Sequence, residues 1–345
     1  MDNIKLISPC LFGVESIAAD EFRRMGFESV TAENGRVKLS GSINMLARAN
    51  ICSRYAERIM IDVGEFRAAT FTELFDGVKS LPWEDYIGKY DAFPVNGRSI
   101  DSALFSIPDC QSIVKKAIVE RLKQKYHISH FEETGAEYRV RFFIHKNVAS
   151  LMIDTSGEGL HKRGYRRKSN DAPLKETLGA AMCDIARIYP DTLMFDPFCG
   201  SGTLLIEAAL KATNTAPGLR RFFSAERFGF IPDNIWREER MRAQDLIVHN
   251  IEFRAQGFDT DQNAVALTNE NAEKAGMKKY VKASVGDVRD FTVPDERCLV
   301  ITNPPYGERL LDVKAAEELY AVMGQRFKEG CGRKYYIISP HDEFE

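Results

Sequence analysis

The sequence predicts an α/β protein whose C-terminal half is a doubly wound parallel sheet and whose N-terminal half holds two smaller α/β units. Three observations carry this. From Pro173 onward, short apolar runs alternate with helix-length stretches, as in a parallel sheet with crossover helices. Thr192–Ala209, TLMFDPFCGSGTLLIEAA, reads as a buried strand, a tight glycine turn and an apolar helix. The first 65 residues run in the order β-α-β-β-α-β.

In chain order, Ile4–Ser8 is a strand, Gly13–Met25 a helix, and Ser29–Glu33 with Arg36–Leu39 a hairpin around Asn34-Gly35. Helix Ile43–Ile51 and strand Arg54–Val63 complete a ferredoxin-like unit. Thr70 can cap a helix over Thr72–Ser80, and Phe93–Val95 and Ala103–Ser106 are short strand candidates. Asp109 can cap the helix Gln111–Tyr126, whose Lys115, Lys116, Arg121, Lys123 and Lys125 face one acid, Glu120. A solvated face and a phosphate-binding face both fit that helix. Tyr138–Ile144 and Val148–Asp154 form a second hairpin.

Leu160–Asn170, LHKRGYRRKSN, then brings Lys162, Arg163, Arg166, Arg167 and Lys168 together with Tyr165 and no acid. Such a run repels itself unless solvated or neutralised, so it reads as a linker that touches nucleic-acid phosphate or as a flexible charged linker. Beyond it come helix Leu174–Ile188, strand Thr192–Phe195, helix Thr203–Ala212, strand Phe253–Phe258, helix Gln262–Ala275, and strands Val281–Val285 and Leu299–Thr302. Helix Val313–Lys328 and strand Lys334–Ser339 close the chain.

With 345 residues, 44% of them hydrophobic, the chain can bury sizeable cores in about two or three domains. The N-terminus lacks a basic region followed by a long apolar one, and no apolar run reaches about 18 residues, which predicts a cytoplasmic protein. Seven cysteines without a C-x-x-C pair and six histidines without ligand spacing indicate neither disulfides nor zinc. The net charge of −3 excludes a globally basic nucleic-acid coat but leaves local patches open.

The turn after Phe195 sets the chemistry. Asp196 ends the strand, Gly200 and Gly202 permit a sharp turn, and Thr203 can cap a helix with free N–H groups. G-x-G-x-x-G fails because the third glycine position is Leu205, and no phosphate loop of the G-x-x-x-x-G-K-[ST] type occurs. A carboxylate four residues before the first glycine suits a cationic ligand end, and S-adenosylmethionine has one. Asp259, at the end of the next strand, can accept both ribose hydroxyls. It lies 57 residues beyond Gly202, against roughly 20 in ordinary sheets of this kind, so Thr213–His249 is an insertion. Its Arg220-Arg221-Phe222-Phe223 fits a nucleic-acid grip or a packed insertion. Asp287, after a third strand, is placed to accept from an adenine amine.

Thr302–Arg309, TNPPYGER, directly follows the strand residues Leu299–Ile301. Two prolines rigidify the loop and leave carbonyls without local partners. An exocyclic amine between the Asn303 oxygen and the Pro304 carbonyl would have both hydrogens accepted, with its base stacked on Tyr306. Catalysis would then be positioning and electrostatic stabilisation, with no general base assigned.

These residues resemble the bacterial THUMP-domain RNA methyltransferases that make N2-methylguanosine in large-subunit ribosomal RNA. DTSGEGLHKRGYR (154–166), APLKET (172–177), DPFCGSGT (196–203), GFDTD (257–261) and TNPPYGER (302–309) are similar to that family's signatures, in the same order. The resemblance implies a ferredoxin-like domain over 1–65, a THUMP RNA-binding domain over 66–155 and a basic linker over 156–171. A class I, Rossmann-like methyltransferase domain using S-adenosylmethionine follows over 172–345. It implies cofactor-binding roles for Asp196, Pro197, Gly200, Gly202, Thr203, Asp259, Asp287 and Asn303. Asn303, Pro304, Pro305 and Tyr306 would act at the target base. Ribosomal RNA would be held by Lys115, Lys116, Lys162, Arg163, Arg166 and Arg167. That family's sheet continues with a further antiparallel strand, which the sequence ending at Glu345 is expected to lack.

N-P-P-Y also serves adenine-N6 methyltransferases and enzymes that methylate glutamine amides, since all these substrates present a planar N–H₂ group. The THUMP-like region and basic linker favour RNA over a protein substrate. Carbon-5 pyrimidine methylation would want a cysteine in the base loop, which has none. A tRNA guanine-N2 enzyme, an adenine-N6 enzyme and a non-catalytic RNA-binding factor remain the alternatives.

Overall fold

The computed structural model describes residues 3–166, 174–305 and 313–339 and divides into two compact units. The first comprises Met1–Leu160 with Arg221–Arg242, and the second His161–Arg220 with Ala243–Glu345.

The first unit holds β1 (Ile4–Pro9), α1 (Glu15–Met25), β2 (Ser29–Glu33), β3 (Arg36–Gly41), α2 (Ile43–Cys52) and β4 (Met60–Arg67). Then come α3 (Phe71–Ser80), β5 (Val95–Ile100), α4 (Ile107–Tyr126), β6 (Val140–His145) and β7 (Val148–Asp154). All seven strands join one sheet in the order β2-β3-β1-β4-β7-β6-β5. The ferredoxin-like and THUMP parts are therefore sewn together by antiparallel pairing of β4 with β7, from Met60↔Asp154 to Arg67↔Val148. Local chemistry starts and stops these elements. Thr70 and Glu73 form a reciprocal capping box on α3, and Gly26 ends α1 in the left-handed region at φ 94°.

Four sequence expectations shift in this unit, the first being the strand candidate Phe93–Val95, which meets β5 (Val95–Ile100) only at Val95. β4 starts at Met60 rather than Arg54, because side chains take amides of the intervening residues: Arg54 N–H donates to Glu21 at 2.9 Å and Ile59 N–H to Ser156 at 2.8 Å. Ala103–Ser106 is not a strand, and the Ala103 N–H donates to the Asn147 side chain instead of a ladder partner. Helix α4 begins at Ile107, with Ser106 at its N-cap and Pro108 in its first turn, so Asp109 lies inside the helix rather than capping it.

The second unit holds α5 (Glu176–Ile185), β8 (Leu193–Asp196), α6 (Thr203–Ala212), β9 (Arg254–Asp259), α8 (Gln262–Lys274), β10 (Val281–Val285), β11 (Cys298–Thr302), α9 (Val313–Arg326) and β12 (Arg333–Ile337). Helix α7 (Asp233–Asp245) begins in the first unit. The sheet is wholly parallel in the order β10-β9-β8-β11-β12. Sequence order reverses between β8 and β11, the place where such sheets bind ligands. Helix α6 is buried along nearly its whole length, Lys211 excepted, and with Met194, Ala255 and Ile301 forms the core.

The expected insertion Thr213–His249 is split between the units. Its Arg221–Arg242 part packs into the first one: Phe228 stacks on Tyr138 with ring centroids 4.0 Å apart, and Glu239 takes a two-pronged ion pair from Arg48 at 2.7 and 2.8 Å.

Candidate active site

β8 delivers Asp196 to the carboxyl end of the sheet, where the carboxylate is 2% exposed. Thr302 Oγ1 donates to Asp196 Oδ1 at 2.6 Å and the Phe198 N–H donates to it at 3.1 Å. Burial nonetheless pushes the Asp196 carboxyl up to about 7, with the Asp259 carboxylate adding to the rise and these two donors opposing it. A buried carboxylate so disfavoured in its charged form is suited to a cationic partner.

The turn that follows needs its glycines. Gly200 has φ 53° and Gly202 φ 81°. A Cβ on Gly202 would lie 2.7 Å from the Thr268 methyl, whereas one on Gly200 would project into open space. From α8, Thr268 donates to the Gly200 carbonyl at 2.8 Å and Asn271 to the Ser201 carbonyl at 3.0 Å. Gly202, not Thr203, is the N-cap of α6, with no side-chain cap. Thr203 is the first helical residue, and its hydroxyl lies 3.3 Å from Arg166 Nη1. The sequence expectation of a Thr203 cap fails because the left-handed glycine sets the helix start. It leaves the first helical N–H groups without a side-chain acceptor, which is the arrangement that receives an anionic group.

Asp259 stands at the end of the neighbouring β9, where Gly257 pairs with Asp196 in register. Its carboxylate accepts the Gly200 N–H and the Asp261 N–H, both at 3.0 Å, and Asp261 itself caps α8. Beyond β10, Asp287 accepts the Arg289 N–H at 2.8 Å and pairs with its guanidinium at 2.9 Å. These contacts hold the Asp287 carboxyl below its usual range. The three acids thus follow three adjacent parallel strands.

Across the reversal, β11 ends in Thr302 and leads to Asn303. The Asn303 Oδ1 is buried and has no hydrogen-bond partner among the described residues. An orphaned buried acceptor at a strand end is a costly group unless a ligand satisfies it. Pro197 and Pro304 are buried and Pro305 half-buried. Tyr306 lies outside the described residues.

The basic residues expected at RNA are only partly available. Arg163 is buried and its Nε lies 3.5 Å from Glu207. Arg166 pairs with Glu176 at 2.7 Å. Both are thus corrected from RNA contacts to internal ion pairs: burying their charge requires acids, and α5 and α6 supply them. Lys115 is also engaged, with Glu133 at 2.6 Å and above the Phe93 ring. Lys116 and Lys162 are exposed, and Arg167 lies outside the described residues. Arg220 and Arg221 donate to the carbonyls of Lys274 and Gly159, which is the packed form of the insertion.

Sequence reasoning missed Thr302, Thr268 and Asn271, whose roles depend on which strands and helices become neighbours. It also missed Glu207, although a lone acid inside the apolar helix TLLIEAALKA was a usable signal. Among the described residues no helix is long and apolar enough to cross a membrane.

With this geometry in place, comparison with known proteins is informative. Residues 163–345 match the family described as RMKL-like, methyltransferase domain, residues 5–60 the RlmL ferredoxin-like domain, and residues 68–154 the THUMP domain. The chain is 41% identical to "Putative RNA methyltransferase YpsC" of Bacillus subtilis (strain 168), over 100% of this chain and 90% of that protein. It is 31% identical to "Ribosomal RNA large subunit methyltransferase K/L" of Psychromonas ingrahamii, over 93% of this chain but only 44% of that protein. A solved structure from Listeria monocytogenes, described as a predicted N6-adenine-specific DNA methylase, is 42% identical. It has a TM-score of 0.95 and covers 100% of this chain and 90% of that one. SMU.472, solved in complex with SAH, is 37% identical with a TM-score of 0.94, covering 100% and 91%. A match over more than half of the chain, and a close relative spanned over nine-tenths of its length, make this chain a member of the RMKL-like methyltransferase family.

Proposed function

We propose that this protein transfers a methyl group from S-adenosylmethionine to an exocyclic base amine of RNA, and that the target is guanine N2 in large-subunit ribosomal RNA. The observation that carries this reading is the buried Asn303 oxygen, without a hydrogen-bond partner among the described residues and set across the strand reversal from three acids and an uncapped helix start. The SAH complex of SMU.472 and the ribosomal-RNA name of the K/L relative support it.

The residues fit the cofactor. Asp196 would receive its ammonium group, the turn around Gly200 and the first N–H groups of α6 its carboxylate, Asp259 its ribose hydroxyls and Asp287 its adenine amine. Bound there, the cofactor supplies an electrophilic methyl group on a sulfonium. Asn303 and the Pro304 carbonyl would accept the two hydrogens of the target amine, which orients the nitrogen lone pair and stabilises the positive charge that grows on it. Tyr306 would stack on the base, with Pro305 keeping the loop stiff. The base must leave its helix to reach this loop, so unpaired guanine should react faster than paired guanine.

The THUMP and ferredoxin-like parts, which we place at 66–155 and 1–65, would dock the RNA, with Lys116, Lys162 and Arg167 as contacts, in the cytoplasm where ribosomes are assembled. Adenine N6 presents the same planar amine, and the Listeria structure carries that description. Transfer of labelled methyl to ribosomal RNA, followed by digestion to nucleosides, decides between them. Label in N2-methylguanosine is expected. Label confined to N6-methyladenosine would overturn the guanine assignment, and no incorporation would overturn the enzyme reading.

A further inference from the structure

Two strand ends meet at the sheet reversal, and a single hydroxyl joins them. Thr302, the last residue of β11, is fully buried, and its Oγ1 donates to Asp196 Oδ1, at the last residue of β8, over 2.6 Å. The next residue along the chain is Asn303, whose buried oxygen has no hydrogen-bond partner among the described residues. We propose that Thr302 is a positioning residue that couples the two halves of the site. It fixes the Asp196 carboxylate that receives the cofactor's ammonium and, through one peptide bond, the Asn303 amide that meets the target amine. This rests on the methyltransferase reading above.

The chemistry of the pair gives the hydroxyl a distinct signature. Two titratable groups face Asp196: the Asp259 carboxylate, at the end of β9, and the Cys199 thiol, in the glycine turn. Asp259 raises the Asp196 carboxyl further, and burial drives the thiol well above its ordinary value, so it stays neutral. Against burial and Asp259 stand two donors, the Phe198 N–H and the Thr302 hydroxyl. A donor to a carboxylate favours its charged form, so removing the hydroxyl makes Asp196 harder to ionise. Burial puts the carboxyl at about 7, where a modest change decides its charge. Thr302 also pairs with Ile337 of β12, so β11 stays in the sheet when the hydroxyl is removed, and what is lost is the tie that fixes its end, and Asn303 with it, against the end of β8.

The test is cofactor affinity as a function of pH, measured by calorimetry with S-adenosylmethionine on the full chain. Wild-type affinity should rise through a midpoint near neutrality and fall again above about pH 8, where the cofactor's own ammonium group loses its proton in every variant alike. Thr302→Val should move that midpoint upward by about one pH unit, with roughly a fivefold loss of affinity at pH 7 that disappears at high pH. Thr302→Ser, which keeps the hydroxyl, should restore the wild-type profile. A merely structural role for Thr302 would lower affinity equally at every pH. If Thr302→Val does not fold, Thr302→Ala against Thr302→Ser makes the same comparison. A midpoint unmoved by loss of the hydroxyl, or moved equally by serine, overturns the proposal. The second arm is single-turnover methyl transfer at high pH and saturating cofactor, where Thr302→Val should still be slower than wild type because Asn303 has lost its anchor. Equal rates would overturn the coupling to Asn303. Should label appear in adenine instead of guanine, the base assignment falls while the pH shift still reports on Thr302.

Discussion

Asp196 is a carboxylate whose charge the fold opposes until a ligand arrives. Because its carboxyl titrates near 7 in the native state and near 3.8 when unfolded, the folded form binds the proton more tightly. Stability therefore falls as pH climbs from about 4 to about 7, by on the order of a few kcal/mol. Asp196→Asn removes that titration, so its melting temperature relative to wild type is expected to be higher at pH 8 than at pH 5. A difference independent of pH would show that the carboxyl is not held this way. Asn303 predicts the opposite separation. Asn303→Ala should leave cofactor affinity nearly intact, since the cofactor acids belong to β8, β9 and β10. It should lower the transfer rate by about a hundredfold or more, because misplacing the amine by about 1 Å costs that much. Calorimetry and labelled-methyl transfer on the same preparation check both halves. The acids were legible in the sequence because one position repeats three times: Asp196 closes β8, Asp259 closes β9 and Asp287 stands two residues past β10. Thr302 was not legible, since nothing along the chain says that the end of β11 will lie beside the end of β8.

At the scale of the element, the turn between β8 and α6 contains two glycines with different duties. Both have positive φ, but a Cβ on Gly202 meets the Thr268 side chain at 2.7 Å while one on Gly200 meets nothing. Gly202→Ala is expected to lower stability by roughly 1–3 kcal/mol, through backbone strain and displacement of α8. Gly200→Ala should lower stability less, by about 1 kcal/mol, yet weaken S-adenosylmethionine binding more, since its methyl group would stand where the ligand belongs. Paired melting and calorimetry measurements test the contrast, and equal behaviour of the two variants would refute it. Most helices and the parallel strands were readable to within a few residues, because apolar periodicity and long runs decide them. Two of the failures share one physical cause, whereas β5 was expected at Phe93–Val95 and α7 was read only as part of an insertion. At Arg54–Ile59 and Ala103–Ser106 the residues look like strand, but distant side chains satisfy backbone N–H groups that a ladder would otherwise use.

For the molecule as a whole, the decisive fact is that the first unit is discontinuous in sequence. Nothing in Thr213–His249 announces that its middle belongs with β1–β7, because that allegiance rests on single contacts such as Phe228 on Tyr138 and Glu239 on Arg48. The same holds for the sheet shared by the ferredoxin-like and THUMP parts, where β4 and β7 pair across more than 80 residues of chain. A fragment starting at His161 should therefore expose Phe223, Phe228 and Trp236, all buried in the intact chain, and aggregate. Replacing Arg221–Arg242 by a short polar linker should restore a soluble fragment that binds S-adenosylmethionine. Size-exclusion chromatography with calorimetry checks this, and a soluble fragment with the segment left in place would contradict it. The discontinuity also imposes a timetable on synthesis. The seven strands are complete once Asp154 has been made, but the segment that covers Tyr138 and neutralises Arg48 ends at Arg242. At about 5–20 residues per second the ribosome needs roughly 4–18 s to supply it. For that interval the nascent first unit carries an open aromatic seat, and the translation speed over the intervening codons sets how long chaperones must shield it.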